Sequence, residues 1–195
     1  MKRLATAIWL SVVCLASLAL SAADRAHPAY GNLSGGKNGL FAHFPKRLKY
    51  APSGSQLMRV LKSLNGQKRE NLIVQEILSG NFPDFLRELK SVRFSKRDRS
   101  GKILNLTAFV MPDYLAIGSN RDYVRVPLNL ISANVINRHF ETMLPTRKIV
   151  NEIYRQADVK LNPKPMKPGS RMTSTDYFWH HHKTIEKQLR RHKDS

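Results

Sequence analysis

Three adjacent imidazoles, His180-His181-His182, are the side chains in this sequence that most resemble a metal-binding set. Successive residues of a helix turn by about 100°, so three neighbours on one helix cannot converge on a single ion. Phe178, His182, Ile185 and Leu189 recur at helical spacing, which puts His182 in a packed stripe and turns His180 towards solvent. No His-x3-His pair and no HExxH motif occurs, so no metal site and no cofactor is expected. Asp113, after Met111-Pro112, and Asp122, after Asn120-Arg121, flank a turn. With His181 or His182 they would supply acid–base chemistry if a cleft joined them. The plainer reading is two turn-capping carboxylates paired with local arginines. Leu144-Pro145-Thr146-Arg147-Lys148 places a hydroxyl and two cations at a helix start, where free N–H groups also face an anion. Its plainer reading is a capping Thr followed by a solvated basic turn. No nucleophile elbow, P-loop or dinucleotide fingerprint is present.

The elements that carry these residues follow from periodicity. Apolar residues at helical spacing predict helices over 56–64, 70–78 and 82–89, with Gly66 and Gly80 as stops. Alternation over 104–110, then Tyr114–Ile117 and Tyr123–Val126 around Gly118-Ser119-Asn120-Arg121, predicts a small antiparallel sheet within about 103–127. Helices are expected over 133–140, 147–157 and about 176–191, with the proline-rich arm 162–168 extended. The expected fold class is α+β, as a single domain over 56–195 after a flexible lead-in over 24–55.

Charge narrows the function. The 195 residues hold 33 Lys+Arg against 14 Asp+Glu, a net +19. Dense runs lie at Lys46-Arg47-Leu48-Lys49, at Arg93, Lys96, Arg97, Arg99 and Lys102, and at Lys183 to Lys193. A field of this sign attracts polyanions. The expected partner is an anionic polymer or a membrane surface. Nucleic acid fits the charge, but no nucleic-acid module signature accompanies it. The apolar content of 42% excludes a wholly disordered chain, and no repeat or heptad array is visible.

The first residues read as an export signal. Lys2-Arg3 precedes the uncharged stretch Leu4–Leu20, and Ser21-Ala22-Ala23 offers a cleavage site after Ala23. The expected location is secreted or periplasmic. Cys14, the single Cys, lies inside this segment, so the exported chain would hold itself without disulfides. Asn32-Leu33-Ser34 and Asn105-Leu106-Thr107 are glycosylation acceptor patterns.

Several segments occur in a recognisable order: Asn81-Phe-Pro-Asp-Phe-Leu-Arg87, Met111-Pro-Asp-Tyr-Leu-Ala-Ile-Gly-Ser119, Asp122-Tyr-Val-Arg-Val-Pro127, Leu144-Pro-Thr-Arg-Lys-Ile-Val150, Lys160-Leu-Asn-Pro-Lys-Pro165, Met172-Thr173 and the His-preceded Ile185-Glu-Lys-Gln188. Together they resemble an uncharacterised family of secreted bacterial proteins, over about 81–188. Longer members continue into His, Tyr and Asp motifs that look hydrolase-like. The resemblance implies a version lacking that portion, and it assigns no role to Asp113, Thr146 or Arg147. The combined expectation is an exported, basic, non-catalytic binding or accessory protein of the envelope or extracellular space. Its contact surface would join Arg93–Lys102 to Thr146-Arg147-Lys148. The alternative is a secreted hydrolase of cell-wall or other polymers using Asp113, Asp122 and His181 or His182.

Overall fold

Local capping starts most of the helices. Ser53 and Gln56 bond reciprocally, side chain to backbone, and open α1 (Gly54–Leu61). The Asn129 side chain caps α3 (Leu130–His139), and Thr146 caps α4 (Arg147–Gln156). Between them lie α2 (Gly66–Leu78), the hairpin β2 (Lys90–Arg97) with β3 (Ile103–Val110), and the hairpin β4 (Ala116–Gly118) with β5 (Tyr123–Arg125). The long α5 (Thr175–Lys193) ends the fold. The computed structural model describes residues 44–193 and, as backbone, a strand β1 at Ala16–Ala19. This strand lies within the expected export signal and pairs antiparallel with β3, from Ala16↔Val110 to Ala19↔Thr107. The rest of that signal, including the cleavage site, and lead-in residues 24–43 lie outside the described residues. Among the described residues no helix is long and apolar enough to cross a membrane.

The class is α+β, as expected, and the expected hairpin around 118–121 forms, but the strand expected over 104–110 joins a different sheet. β3 pairs with β2 along its whole length, while β4 and β5 form a separate two-stranded sheet. Pro112 has no N–H to donate to a ladder, and Asp113 is held by Arg125 of β5, so the chain turns between the sheets. β2 is hidden in the sequence by its charges; only Val92 and Phe94 alternate inwards. The helix expected over 82–89 is one 3-10 turn, Asp84–Arg87. The Phe82 carbonyl that an α-helix would use accepts instead from Arg87 Nη1, and the Leu86 N–H turns to Pro83.

The main core joins Leu57 and Leu61 of α1, Ile73 and Ile77 of α2, Phe82, Leu86, Ile117, Val124 and Ile136. A smaller cluster of Val92, Ala108, Val110 and Ile149 seats α4 on the β2–β3 hairpin. The lead-in does not stay loose up to Ser55. The Phe44 ring lies 4.9 Å from that of Phe140 and 5.8 Å from that of Phe82, and Arg47 Nε donates to Asn81 Oδ1 at 2.8 Å. At the other end of the core, α1 meets the β4–β5 turn backbone to backbone. The Gly54 N–H donates to the Asp122 carbonyl at 2.8 Å, and a Cβ on Gly54 would stand 2.7 Å from the Tyr123 backbone.

Gly118 has φ +112°, and a Cβ there would run into the Asp122 carbonyl and the Gly54 amide. Gly118→Ala is therefore expected to lower unfolding free energy by roughly 2 kcal/mol or more in urea titrations. A loss below about 0.5 kcal/mol would show that the joint is looser than this.

Candidate functional site

The site begins with a buried cation. Arg125, on the last residue of β5, is 5% exposed. Its Nε donates to both oxygens of Asp113, at 3.0 and 3.1 Å, and its Nη2 also binds Asp113. Its Nη1 donates to Glu186 Oε1 at 2.7 Å and lies 3.2 Å from His182 Nδ1. The Tyr123 hydroxyl donates to the same Glu186 oxygen at 2.9 Å. One side chain thus ties the β3–β4 connection, β5 and α5 together.

Protonation states follow from these contacts. Arginine has only donors, so His182 Nδ1 must accept and the neutral ring carries its proton on Nε2. Burial, then the Arg125 charge, push the His182 pKa down to about 4 despite three nearby carboxylates, Glu186, Asp113 and Asp122. Burial opposes charge on Arg125 too, but its bonds to Asp113 and Glu186 outweigh that and hold it protonated. Glu186 is disfavoured by burial, yet the donors Arg125 and Tyr123 keep it below the usual range. Burial and the Glu186 bond push Tyr123 up to about 12.

This cluster floors a groove of about 710 Å³ between the β4–β5 turn and α5. Its lining includes Arg121, Asp122, Tyr123, Trp179, His182, Lys183, Glu186, Lys187, Arg190 and Arg191. Trp179, Lys183, Lys187 and Arg190 recur at about one per turn, so they share one face of α5. The neighbouring face, with Phe178, His182 and Ile185, packs inwards. Thr175 Oγ1 donates to the Leu61 carbonyl, and Arg69 Nη1 to the Thr173 carbonyl, which pins the start of α5.

The expected catalytic set is only partly assembled. His182 is buried and His180 exposed, as the helical geometry requires, and His181 is exposed beside them. Asp122 and His182 reach the same groove. Asp122 Oδ1, however, accepts from the Ser55 N–H and hydroxyl; against its burial, the Ser53 and Ser55 bonds keep it below the usual range. Asp113 sits behind Arg125, with both oxygens engaged. Among the described residues no group of three His, Cys, Asp or Glu side chains converges as a metal site.

The expected anion-binding set falls in two places. Lys96, Arg97 and Arg99 line a hollow of about 300 Å³ at the tip of the β2–β3 hairpin. Asp98 orders this tip by accepting from the N–H groups of Ser100 and Lys102, while Arg97 Nη1 donates to Gly101. Arg93 is held by Gln156, which bonds both its N–H and its carbonyl from the end of α4. Thr146, whose hydroxyl accepts from the Ile149 N–H, opens the same helix about 14 Å away, with Arg147 and Lys148 exposed beside it. Sequence reasoning did not select Arg121, Tyr123, Arg125, Trp179, Glu186, Lys187, Arg190 or Arg191. The readable signal was the run Lys183–Lys193 taken with its spacing from Trp179. Comparison with family models, with curated proteins and with solved structures returns no match.

Two outcomes follow from this cluster. Arg125→Met strands two carboxylates and is expected to cost about 3 kcal/mol of stability; a loss under about 1 kcal/mol in denaturant titrations would show that water replaces the guanidinium. His182 takes up a proton near pH 4 when folded and near 6.5 when unfolded. The unfolded chain therefore binds more protons between those values, and stability falls as pH drops through that window, by up to about 3 kcal/mol. His182→Gln should flatten that segment of the stability–pH curve, and an unchanged slope would place the titration elsewhere.

Proposed function

We propose that this chain is an exported basic protein that binds polyanions, without a reaction of its own, through the groove beside α5. The observation that carries the reading is the pairing of a rim and a floor. Arg121, Lys183, Lys187, Arg190 and Arg191 stand around one cavity, and the carboxylates on its floor are already bonded to internal donors. The rim cations therefore keep their charge for a ligand. The hairpin tip at Lys96–Lys102 and the start of α4 add to the general field and are weaker contacts in this scheme. Export rests on the basic start, uncharged stretch and small residues of the first 23 positions.

A hydrolytic reading needs a carboxylate and an imidazole at one reacting atom. Here Asp113 and His182 meet at the guanidinium of Arg125, which does not react, and His182 is a weak base. The arrangement suits holding a ligand better than cleaving one.

The test is association of the chain with polyanions over a salt series. Each cation that displaces a counterion adds roughly 0.7–0.9 to the slope of log K against log salt for nucleic acids. Lys183, Lys187, Arg190 and Arg191 are exposed, so replacing all four with Ala should spare the fold and reduce the slope by about three. The same replacement at Lys96, Arg97, Arg99 and Lys102 should reduce it less. A larger effect at the hairpin would move the site there, and no salt-sensitive association at all would remove the function.

A further inference from the structure

We infer that the outer edge of β3 is a docking edge for a second copy of this chain. Once the first 23 residues are removed, two β3 strands pair antiparallel across a two-fold axis. This goes beyond polyanion binding and takes from that reading only the loss of the export segment. β1 demonstrates room for a strand on this edge. Its backbone pairs with positions 107–110, and no strand among the described residues pairs with 103–106 on that side. β1 lies before the expected cleavage after Ala23, so cleavage detaches it and opens the whole of Ile103–Val110.

Two contacts fix which backbone groups face outwards. The Asp98 N–H donates to the Lys102 carbonyl, so these two form a hydrogen-bonded pair. Gln156 takes both the N–H and the carbonyl of Arg93 from outside the sheet. Bonded and non-bonded pairs alternate along an antiparallel ladder. Arg93↔Thr107 and Arg97↔Ile103 are therefore non-bonded pairs, and Ile103, Asn105, Thr107 and Phe109 aim their N–H and carbonyl groups away from β2. The two edges of the sheet differ in protection. β2 carries Lys90, Arg93, Lys96 and Arg97 and is capped by Gln156, devices that keep an edge from pairing. β3 reads Ile-Leu-Asn-Leu-Thr-Ala-Phe-Val, with no charge and no proline.

Charge and symmetry identify the occupant. An uncharged strand is matched by an uncharged strand, and two identical antiparallel strands close on a two-fold axis. The hairpin tips carry Lys96, Arg97, Arg99 and Lys102. Antiparallel pairing sets the two tips at opposite ends of the joined sheet, about 27 Å apart for a strand of 8 residues. That exceeds the screening length of roughly 8 Å in physiological salt; a parallel pair would set the tips side by side. Ile103 and Leu104, 53% and 50% exposed, gain apolar neighbours in the pair. The assembly stops at two, because the β2 edge of each copy stays blocked.

The test uses the chain begun at Asp24, which keeps every member of both hydrophobic clusters. Its sedimenting mass is expected to double between about 1 and 100 µM. Over the same range the amides of Ile103, Asn105, Thr107 and Phe109 should become protected from hydrogen exchange. Asn105→Pro removes an outward N–H and should hold the chain as a monomer. Ser95→Pro, at the Cα partner of Asn105 on the blocked edge, should leave the dimer intact. If a proline variant unfolds, the mass and the exchange of the unmutated chain decide the matter. A monomer throughout, a mass beyond two chains, or a dimer whose four amides exchange freely overturns the proposal, as does a dimer that Ser95→Pro alone abolishes. Export is checked apart from this, by the N-terminal mass of the full chain after secretion. A retained leader there overturns export, while the Asp24 chain still stands or falls on its own mass.

Discussion

The guanidinium of Arg125 is the contact that the rest of this architecture depends on. It is almost wholly buried, and it bonds Asp113 from the connection after β3 and Glu186 from α5. Burying a cation is costly unless carboxylates and hydrogen bonds surround it, and here two carboxylates do. The result is a joint with direction as well as strength. Five donors in a fixed plane set the angle at which α5 crosses β5, where a lysine would give a point charge with no preferred fork. The same joint fixes the chemistry next to it. It consumes Asp113, one oxygen of Glu186 and Nδ1 of His182.

Much of what looks reactive in the sequence turns out to brace the structure. Within Asn81–Arg87, Asn81 donates to the Pro52 carbonyl and to Glu76, and accepts from Arg47. Arg87 bonds the carbonyls of Pro45, Gly80 and Phe82 and lies over the Phe82 ring at 3.9 Å. Asp113 and Arg125, twelve residues apart in two separate segments, end up paired. Thr146 caps a helix. Runs of polar and charged residues between apolar ones are thus needed here to satisfy carbonyls and helix ends that a small core leaves unpaired.

The α+β class, the hairpin around 118–122, the caps at Thr146 and the inward turn of His182 were legible, because each depends on spacing within one element. The β2 strand was not, since only two of its side chains are apolar and inward-facing, and alternation needs more. The packing of Phe44 and Arg47 was not, because it is set by partners 34 or more residues along the chain. The site failed to appear for a related reason. Its parts come from 113, 121–125 and 179–191, and none of the three stretches carries a motif alone. The run Lys183–Lys193 showed its charge but not its target, since which side of the helix meets β5 is decided by Arg125.

That dependence explains how one helix serves two purposes. On α5, Phe178, His182 and Ile185 pack inwards, while Trp179, Lys183 and Lys187 stand one residue further round and face the groove. Successive residues differ by about 100°, so a shift of one position would bury lysines and expose the apolar stripe. The apolar stripe alone tolerates some rotation, because hydrophobic contact has little directionality. The bonds from Arg125 and Tyr123 to a single oxygen of Glu186 do not. Glu186 lies on the boundary between the two faces, and by fixing it the buried cation sets which cations reach the groove. A net charge of +19 is spread over the whole chain. What turns part of it into a binding surface is the angular register of α5, which Arg125 and Tyr123 hold at Glu186 and the Thr175 bond to Leu61 holds at the helix start.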